Sequence, residues 1–178
     1  MANPLEIIDD MRFDPPLTVT GNGWVLLSDQ VMGGVSEGTM TREIVAGREA
    51  IHMQGGVSLE NNGGFLQIAL DLGDAGGGVD ARNWAGIQID VFGNVQTYNL
   101  HLRTTDIHRP WESYRQGFPA PSKWTTVRLS FSDFVPHRTK RPLNIARLRR
   151  IGIVAIGREF VADISIADIR FYAAADEP

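Results

Sequence analysis

The sequence of 178 residues contains no cysteine, and this absence excludes several kinds of function. Thiol catalysis, disulfide cross-links and cysteine-based zinc sites all depend on that residue. No apolar run approaches the ~20 residues that a membrane-spanning helix requires. The first residues also lack the basic and apolar regions of a secretory signal. Together these absences favour a cytoplasmic protein of bacterial type.

The sequence also lacks the amphipathic pattern of roughly 10–15 residues that marks long α-helices. Apolar and polar residues instead alternate, as is typical of half-buried strands. Such runs occupy residues 66–71, 87–91, 98–103, 126–131 and 164–171. We therefore predict an all-β fold of about ten short strands, a jelly-roll β-sandwich. Short helical turns are expected only within residues 3–11 and 144–150.

The length of the chain favours a single domain. We expect the sandwich to comprise residues 24–173, with an N-terminal extension at 1–23 packed on it and a tail at 174–178. Residues 151–156 are continuously apolar, which predicts a strand covered on both faces. The alternation slips by one residue at Ala167-Asp168, which predicts a β-bulge. Ala46-Gly47-Arg48 predicts a hairpin turn between two strands.

Two glycine pairs stand before strand-like segments, Gly33-Gly34 and Gly63-Gly64. Glycine pairs are placed where the backbone needs a positive φ or approaches another segment closely. We therefore expect two sharply bent connections that face each other at one end of the β-structure.

Two sequence patterns match enzyme motifs, but their context is wrong. Residues 34–38 fit the G-x-S-x-G motif of serine hydrolases, which requires a helix after the serine. Residues 39–45 predict a strand at that position. Residues 76–81 fit a dinucleotide-binding pattern, yet a strand again follows where a helix must supply amide donors. The sequence thus predicts no enzyme and no cofactor.

Metal binding is also disfavoured by the spacing of the acids and histidines. Asp71, Asp74 and Asp80 surround the glycine-rich loop but lack the alternating spacing of a calcium loop. The four histidines show no metal-ligand spacing. We predict no metal site.

A polar face is the remaining candidate for ligand binding. Asp90, His101, Arg103 and Arg128 occupy non-core positions of the predicted strands, and we expect them on one face. Residues 111–118 add aromatic side chains, so Arg103, Trp111 and Tyr114 are candidates for binding a sugar, a peptide or another polar ligand. The alternative is that this face is simply the hydrated side or a second core side of a sheet.

The charge of the chain is uneven. Residues 136–150 carry six cations and no acid, so a net charge of −4 leaves −10 on the rest. Arg147, Arg149 and Arg150 are candidate contacts for an acidic protein or the inner face of a membrane. The alternative is a solvated loop followed by a strand.

The motif residues resemble the complex I intermediate-associated protein 30 family. The resemblance is carried by Trp24, Asp29, Met32, Gly33, Gly34 and Ser36, and by the second motif Gly63, Gly64 and Phe65. It covers nearly the whole chain from Trp24 onward. It implies a galactose-binding-like jelly roll, and a structural role for these residues because the family has no established catalytic ones.

The same resemblance implies a protein-binding assembly factor or chaperone-like module for a respiratory complex of the NADH:ubiquinone oxidoreductase type. A carbohydrate-binding module is the alternative, because the same sandwich often serves that purpose. Nucleic acid is a disfavoured partner, since the net charge is negative.

Overall fold

The computed structural model describes residues 6–15 and 17–176. Their regular structure consists of strands and short 3₁₀ turns, without an α-helix. The strands are β1 (Ile7–Asp9), β2 (Val25–Ser28), β3 (Glu37–Val45), β4 (Arg48–Val57), β5 (Phe65–Asp71), β6 (Gly86–Phe92), β7 (Gln96–Thr104), β8 (Ser113–Ala120), β9 (Thr125–Ser130), β10 (Val135–His137), β11 (Leu148–Ile156) and β12 (Phe160–Tyr172). The prediction of an all-β fold is confirmed.

The strands form two antiparallel six-stranded sheets. The first sheet has the order β3-β4-β12-β6-β9, and β1 pairs with the second half of β12. The second sheet has the order β10-β8-β7-β11-β5-β2. Alternate apolar side chains of both sheets form one core between them. The architecture is a β-sandwich with two outward faces.

Several local predictions are confirmed by the register of the strands. Val45 pairs with Arg48 across a two-residue turn, in which Ala46 and Gly47 both have positive φ values, as a type I′ hairpin requires. The register of β12 against β6 shifts between Ile166 and Asp168, which is the predicted β-bulge. The apolar strand β11 is buried over residues 151–155.

One of the two predicted helical turns is wrong, and the other is confirmed in part. Ile7–Asp9 is a strand that pairs with β12, while residues 1–5 lie outside the described part of the chain. Within residues 144–150, Ile145–Arg147 forms a single 3₁₀ turn, and β11 begins directly after it. The Ile145 and Leu148 carbonyls accept hydrogen bonds from the 79–81 loop, so they do not support a longer helix.

The prediction that Tyr114 contacts a ligand is also wrong, because the structure places its side chain in the core rather than on a polar face. Its side chain is fully buried, and its hydroxyl donates to the carbonyl oxygens of Arg141 and Pro142 at 3.0 and 3.2 Å. It cannot stack on a ligand from this position. The division into an extension, a domain and a tail stays a prediction, although Ile8 of the extension is buried in the core.

Candidate functional site

A buried carboxylate joins the two glycine-pair connections. Asp29 begins a 3₁₀ turn after β2 and is completely buried. Its Oδ1 accepts the backbone N–H of Ser36 at 2.9 Å, and its Oδ2 accepts the Ser36 hydroxyl at 2.5 Å. Oδ2 also accepts the backbone N–H groups of Gly64 and Phe65 at 2.6 and 3.3 Å. We call Asp29, Ser36, Gly64 and Phe65 the Asp29 cluster.

The glycines leave room for this carboxylate. A Cβ at Gly34 would lie 2.4 Å from Asp29 Cγ, and a Cβ at Gly63 would lie 2.4 Å from Asp29 Oδ2. Gly33 has open space but a φ of +86°, which side chains rarely adopt. The Asn61 amide donates to the carbonyl of Gly33 at 3.1 Å. The two connections therefore face each other, as the sequence predicts.

Hydrogen bonds determine the ionisation of the Asp29 cluster. Burial acts to raise the pKa of Asp29, but the bonds from Ser36, Gly64 and Phe65 outweigh it and hold the pKa below its ordinary value. The carboxyl is thus an anion with four donors. Ser36 is completely buried, and its hydroxyl also accepts the Ser58 N–H at 2.9 Å. This geometry supports the backbone and leaves no exposed nucleophile at Ser36.

The side chains between these anchors point outward. Val31 and Met32 are 75% and 62% exposed, and Val35 and Leu59 are also exposed. The Trp24 indole donates to the buried carboxylate of Asp9 at 2.7 Å, which ties the start of β2 to β1. The buried polar residues of the motif therefore hold the backbone in place, while its apolar residues Val31, Met32 and Val35 are exposed.

The predicted polar face of Asp90, His101, Arg103 and Arg128 is wrong, because these residues lie on two different sheets. Asp90 and Arg128 are on β6 and β9 of the first sheet. His101 and Arg103 are on β7 of the second sheet. Alternation shows which side of a strand is polar, but sheet membership is set by pairing with distant segments.

On the outward face of the first sheet, two arginines have carboxylate partners. Arg48 Nη2 lies 3.0 Å from Asp90 Oδ2, and Arg170 Nη2 lies 2.5 Å from Asp168 Oδ2. The His52 ring nitrogen Nε2 lies 2.6 Å from Asp163 Oδ1. Cations and carboxylates are thus paired at these positions of the face.

The outward face of the second sheet is different. Arg103 of β7 pairs in register with Arg150 of β11, and His101 pairs with Arg115 of β8. We call His101, Arg103, Arg115 and Arg150 the arginine face. Like charges directly opposite each other on neighbouring strands destabilise a sheet. One carboxylate offsets them directly, since Asp71 Oδ1 accepts Arg150 Nε at 2.7 Å.

Two side chains of the arginine face carry buried polar atoms without hydrogen bonds. Among the described residues, His101 Nε2 and Arg103 Nε have no partner. Burial, followed by the charges of Arg115 and His137, lowers the pKa of His101 to about 3, so this ring is neutral at physiological pH. Burial, followed by the charges of Arg149 and Arg150, also lowers the pKa of Arg103. The face therefore holds a buried Arg103 Nε–H donor without a partner among the described residues.

Trp111 lies beside this face and is linked to it. Arg103 Nη2 donates to the carbonyl of Arg109 at 3.0 Å, and the Arg109 guanidinium lies 5.9 Å from the Trp111 ring centroid. The Trp111 side chain is 51% exposed. Arg103 is thus linked to Trp111 through Arg109, and Tyr114 does not take part; a binding role for Arg103 and Trp111 stays a prediction.

The predicted basic contact is divided. Arg147 is exposed and lies 3.9 Å from Asp106, whereas Arg149 and Arg150 are half-buried beside Arg103. Contact with an acidic protein or a membrane stays a prediction. Sequence reasoning missed Arg115, although it alternates with the buried Tyr114 and Phe118. That alternation places Arg115 outward, next to His101.

No group of three or more acids or histidines within residues 6–15 and 17–176 could hold a metal ion. Asp71 pairs with Arg150, and Asp80 lies 2.6 Å from Arg82. In the same described ranges, no helix has the length and apolar character needed to cross a bilayer.

Comparison by sequence identifies one family. The model of the complex I intermediate-associated protein 30 family matches residues 11–166. No match to a curated protein was found.

Comparison of structures finds carbohydrate-binding modules. The family 11 module of the cellulase Lic26A-Cel5E of Clostridium thermocellum is 14% identical, with a TM-score of 0.71 over 98% of this chain and 97% of that chain. The family 30 module of Cel9D-Cel44B from the same organism is 10% identical, with a TM-score of 0.63 over 98% and 96%. These likenesses show the fold, a jelly-roll β-sandwich.

Proposed function

Because this chain belongs to the complex I intermediate-associated protein 30 family, we propose that it is a non-enzymatic protein-binding module that assists the assembly of a respiratory membrane complex of the NADH:ubiquinone oxidoreductase type. The observation that carries this proposal is the family match over residues 11–166. The Asp29 cluster supports it, because the residues of the motif form hydrogen bonds to one another instead of facing a substrate. A binding module needs a defined surface and no reactive group.

The direct test is deletion of the gene in the native host. We expect less fully assembled NADH:ubiquinone oxidoreductase in native gels of the membranes, with accumulation of smaller intermediates. Expression of the wild-type protein should restore the complex. Unchanged assembly in the deletion strain would contradict the proposal.

The basic contact can be tested in the same host by affinity purification. Replacement of Arg147, Arg149 and Arg150 by Gln should reduce the recovery of respiratory subunits several-fold. The matched control replaces Arg12, Arg48 and Arg82 by Gln, which removes the same charge elsewhere. Equal recovery with the two triple variants would show that this segment is not the contact.

Carbohydrate binding is a second candidate, supported by the exposed Trp111 beside Arg103 and Arg109. Aromatic rings next to fixed donors suit sugar recognition. Affinity electrophoresis in gels containing β-1,3-1,4-glucan tests it, with retardation expected for the wild type and lost in Trp111→Ala. Migration identical to that in a gel without polysaccharide would reject this candidate for that glycan.

A further inference from the structure

The arginine face contains the least satisfied polar groups of the described structure. Buried side-chain atoms without a hydrogen bond are found at only three residues there, and His101 Nε2 and Arg103 Nε are two of them. A buried donor without a partner costs about 1–3 kcal/mol. The unpaired Nε leaves the Arg103 cation without full compensation, which favours an anion at the surface of this face.

The guanidinium groups are held in place by their other atoms. Arg103 Nη2 donates to the carbonyl of Arg109 at 3.0 Å, while Arg115 Nε donates to the hydroxyl of Ser113 at 3.0 Å. Ser113 stands two residues before Arg115, so this bond turns Arg115 along β8, toward the level of Arg103. Two fixed cations thus flank the unpaired atoms, and little ordering is required when an anion binds.

A small residue lies at the centre of this surface. Gly152 of β11 pairs in register with His101, and a Cβ there would lie 2.6 Å from Gln67 Oε1. The Gln67 side chain therefore covers Gly152, which is buried. Around it, the arginines form a positively charged surface across β8, β7 and β11.

The sign of the charge identifies the chemistry of the ligand. The acids that act electrostatically on Arg103 are Glu112 and Asp71, and Asp71 is already bonded to Arg150. The whole chain carries a net charge of −4, so it repels anions except where cations are concentrated. An open sheet face with cations on strands about 4.8 Å apart suits several charges along an extended segment.

We propose that the arginine face binds the carboxylates of an extended acidic polypeptide segment, with one carboxylate between Arg103 and Arg115 above His101. This inference rests on the proposed protein-binding function and names the chemistry of the partner. The exposed parts of the half-buried Arg103 and Arg115 guanidinium groups would supply the hydrogen bonds to that carboxylate. Charge-assisted bonds of this kind are about twice as strong as neutral ones.

The test is fluorescence anisotropy with the purified protein and a labelled peptide of alternating glutamate and serine. The same peptide with glutamine in place of glutamate is the control ligand. We expect binding of the glutamate peptide only, weaker at about 0.15 M salt than at about 0.01 M. Arg103→Gln and Arg115→Gln should each weaken binding about tenfold, as loss of one charge-assisted bond predicts.

Matched variants separate the site from general electrostatics and from folding. Arg48→Gln removes the same charge from the first sheet and should change the affinity less than about twofold. Thermal melts establish that each variant is folded.

Three outcomes would overturn the proposal. They are absence of glutamate-peptide binding at low salt, an equal loss of affinity in Arg48→Gln, and displacement of the peptide by inorganic phosphate at a matched concentration of charge. Each of them would reject this site while leaving the gene-deletion test of the proposed function unaffected. Failure of the deletion test alone would leave the peptide site standing with a different partner.

Discussion

The Asp29 cluster and the arginine face differ in how many hydrogen bonds the protein supplies to a charge that is removed from water. Asp29 is completely buried and receives four hydrogen bonds from the protein itself. Arg103 is half-buried, stands beside Arg150, and keeps a buried Nε without a partner among the described residues. A charge that the fold satisfies contributes to stability, whereas one that it leaves unsatisfied favours an anion at the surface. The comparison supports a structural role for the first region and is the basis of the recognition role proposed for the second.

The largest expected effect is at Asp29. Asp29→Ala should lower the free energy of unfolding by about 3–5 kcal/mol, because several buried donors lose their acceptor together. Urea denaturation of the variant and of Asp74→Ala, an exposed acid, provides the measurement and its control. A loss below about 1 kcal/mol would mean that the cluster is not the support described above.

The next effect concerns the glycines of the same region. Gly34→Ala should cost about 1–3 kcal/mol, because its Cβ would overlap Asp29 Cγ at 2.4 Å. Gly33→Ala meets no atom and should cost only about 1 kcal/mol, from its positive φ. Thermal and urea unfolding of both variants can rank them. Equal losses of stability in the two variants would show that the Asp29 cluster accommodates the additional methyl group without a further cost.

The predictions for Asp29 and the glycines depend on contacts that the sequence reveals only in part. Alternation predicted the strands, the hairpin at Ala46-Gly47 and the bulge before Asp168, because these depend on near neighbours. The assignment of Asp90 to the same face as His101 was wrong, because their sheets are fixed by pairing with distant strands. The partners of Asp29 lie 7 to 36 residues away, and no local pattern identifies them.

A smaller effect is expected from pH. The pKa of His101 is lowered to about 3 in the folded protein, so only the unfolded chain takes up the proton as the pH falls below about 6.5. Stability should therefore fall between pH 7 and pH 5, by about 2 kcal/mol more in the wild type than in His101→Gln. Urea midpoints at several pH values test this.

A second substitution at the same position supplies the control for that measurement. His101→Asn should give the same dependence on pH as His101→Gln. A wild-type slope in His101→Gln would mean that the ring is hydrated and that the arginine face is less desolvated than its geometry indicates.

The smallest expected effect is a gain in stability, from a substitution of Arg103. Arg103→Gln should raise the free energy of unfolding by up to about 0.5 kcal/mol, because it removes the repulsion from Arg150 and a poorly hydrated charge. Thermal melting at low and high salt measures it, with a larger gain at low salt. A clear destabilisation would show that Arg103 serves the fold, as Asp29 does.

The pairing of β12 has a consequence for biosynthesis. This strand pairs with β4, β6 and β1, so it completes three pairings with segments made much earlier. Until the ribosome has delivered it, the paired edges of β4 and β6 stay open, and such edges are templates for aggregation. The first sheet can close only after translation has passed Tyr172. Slow synthesis or truncation before that point should burden the chaperones of the cell more than most point mutations.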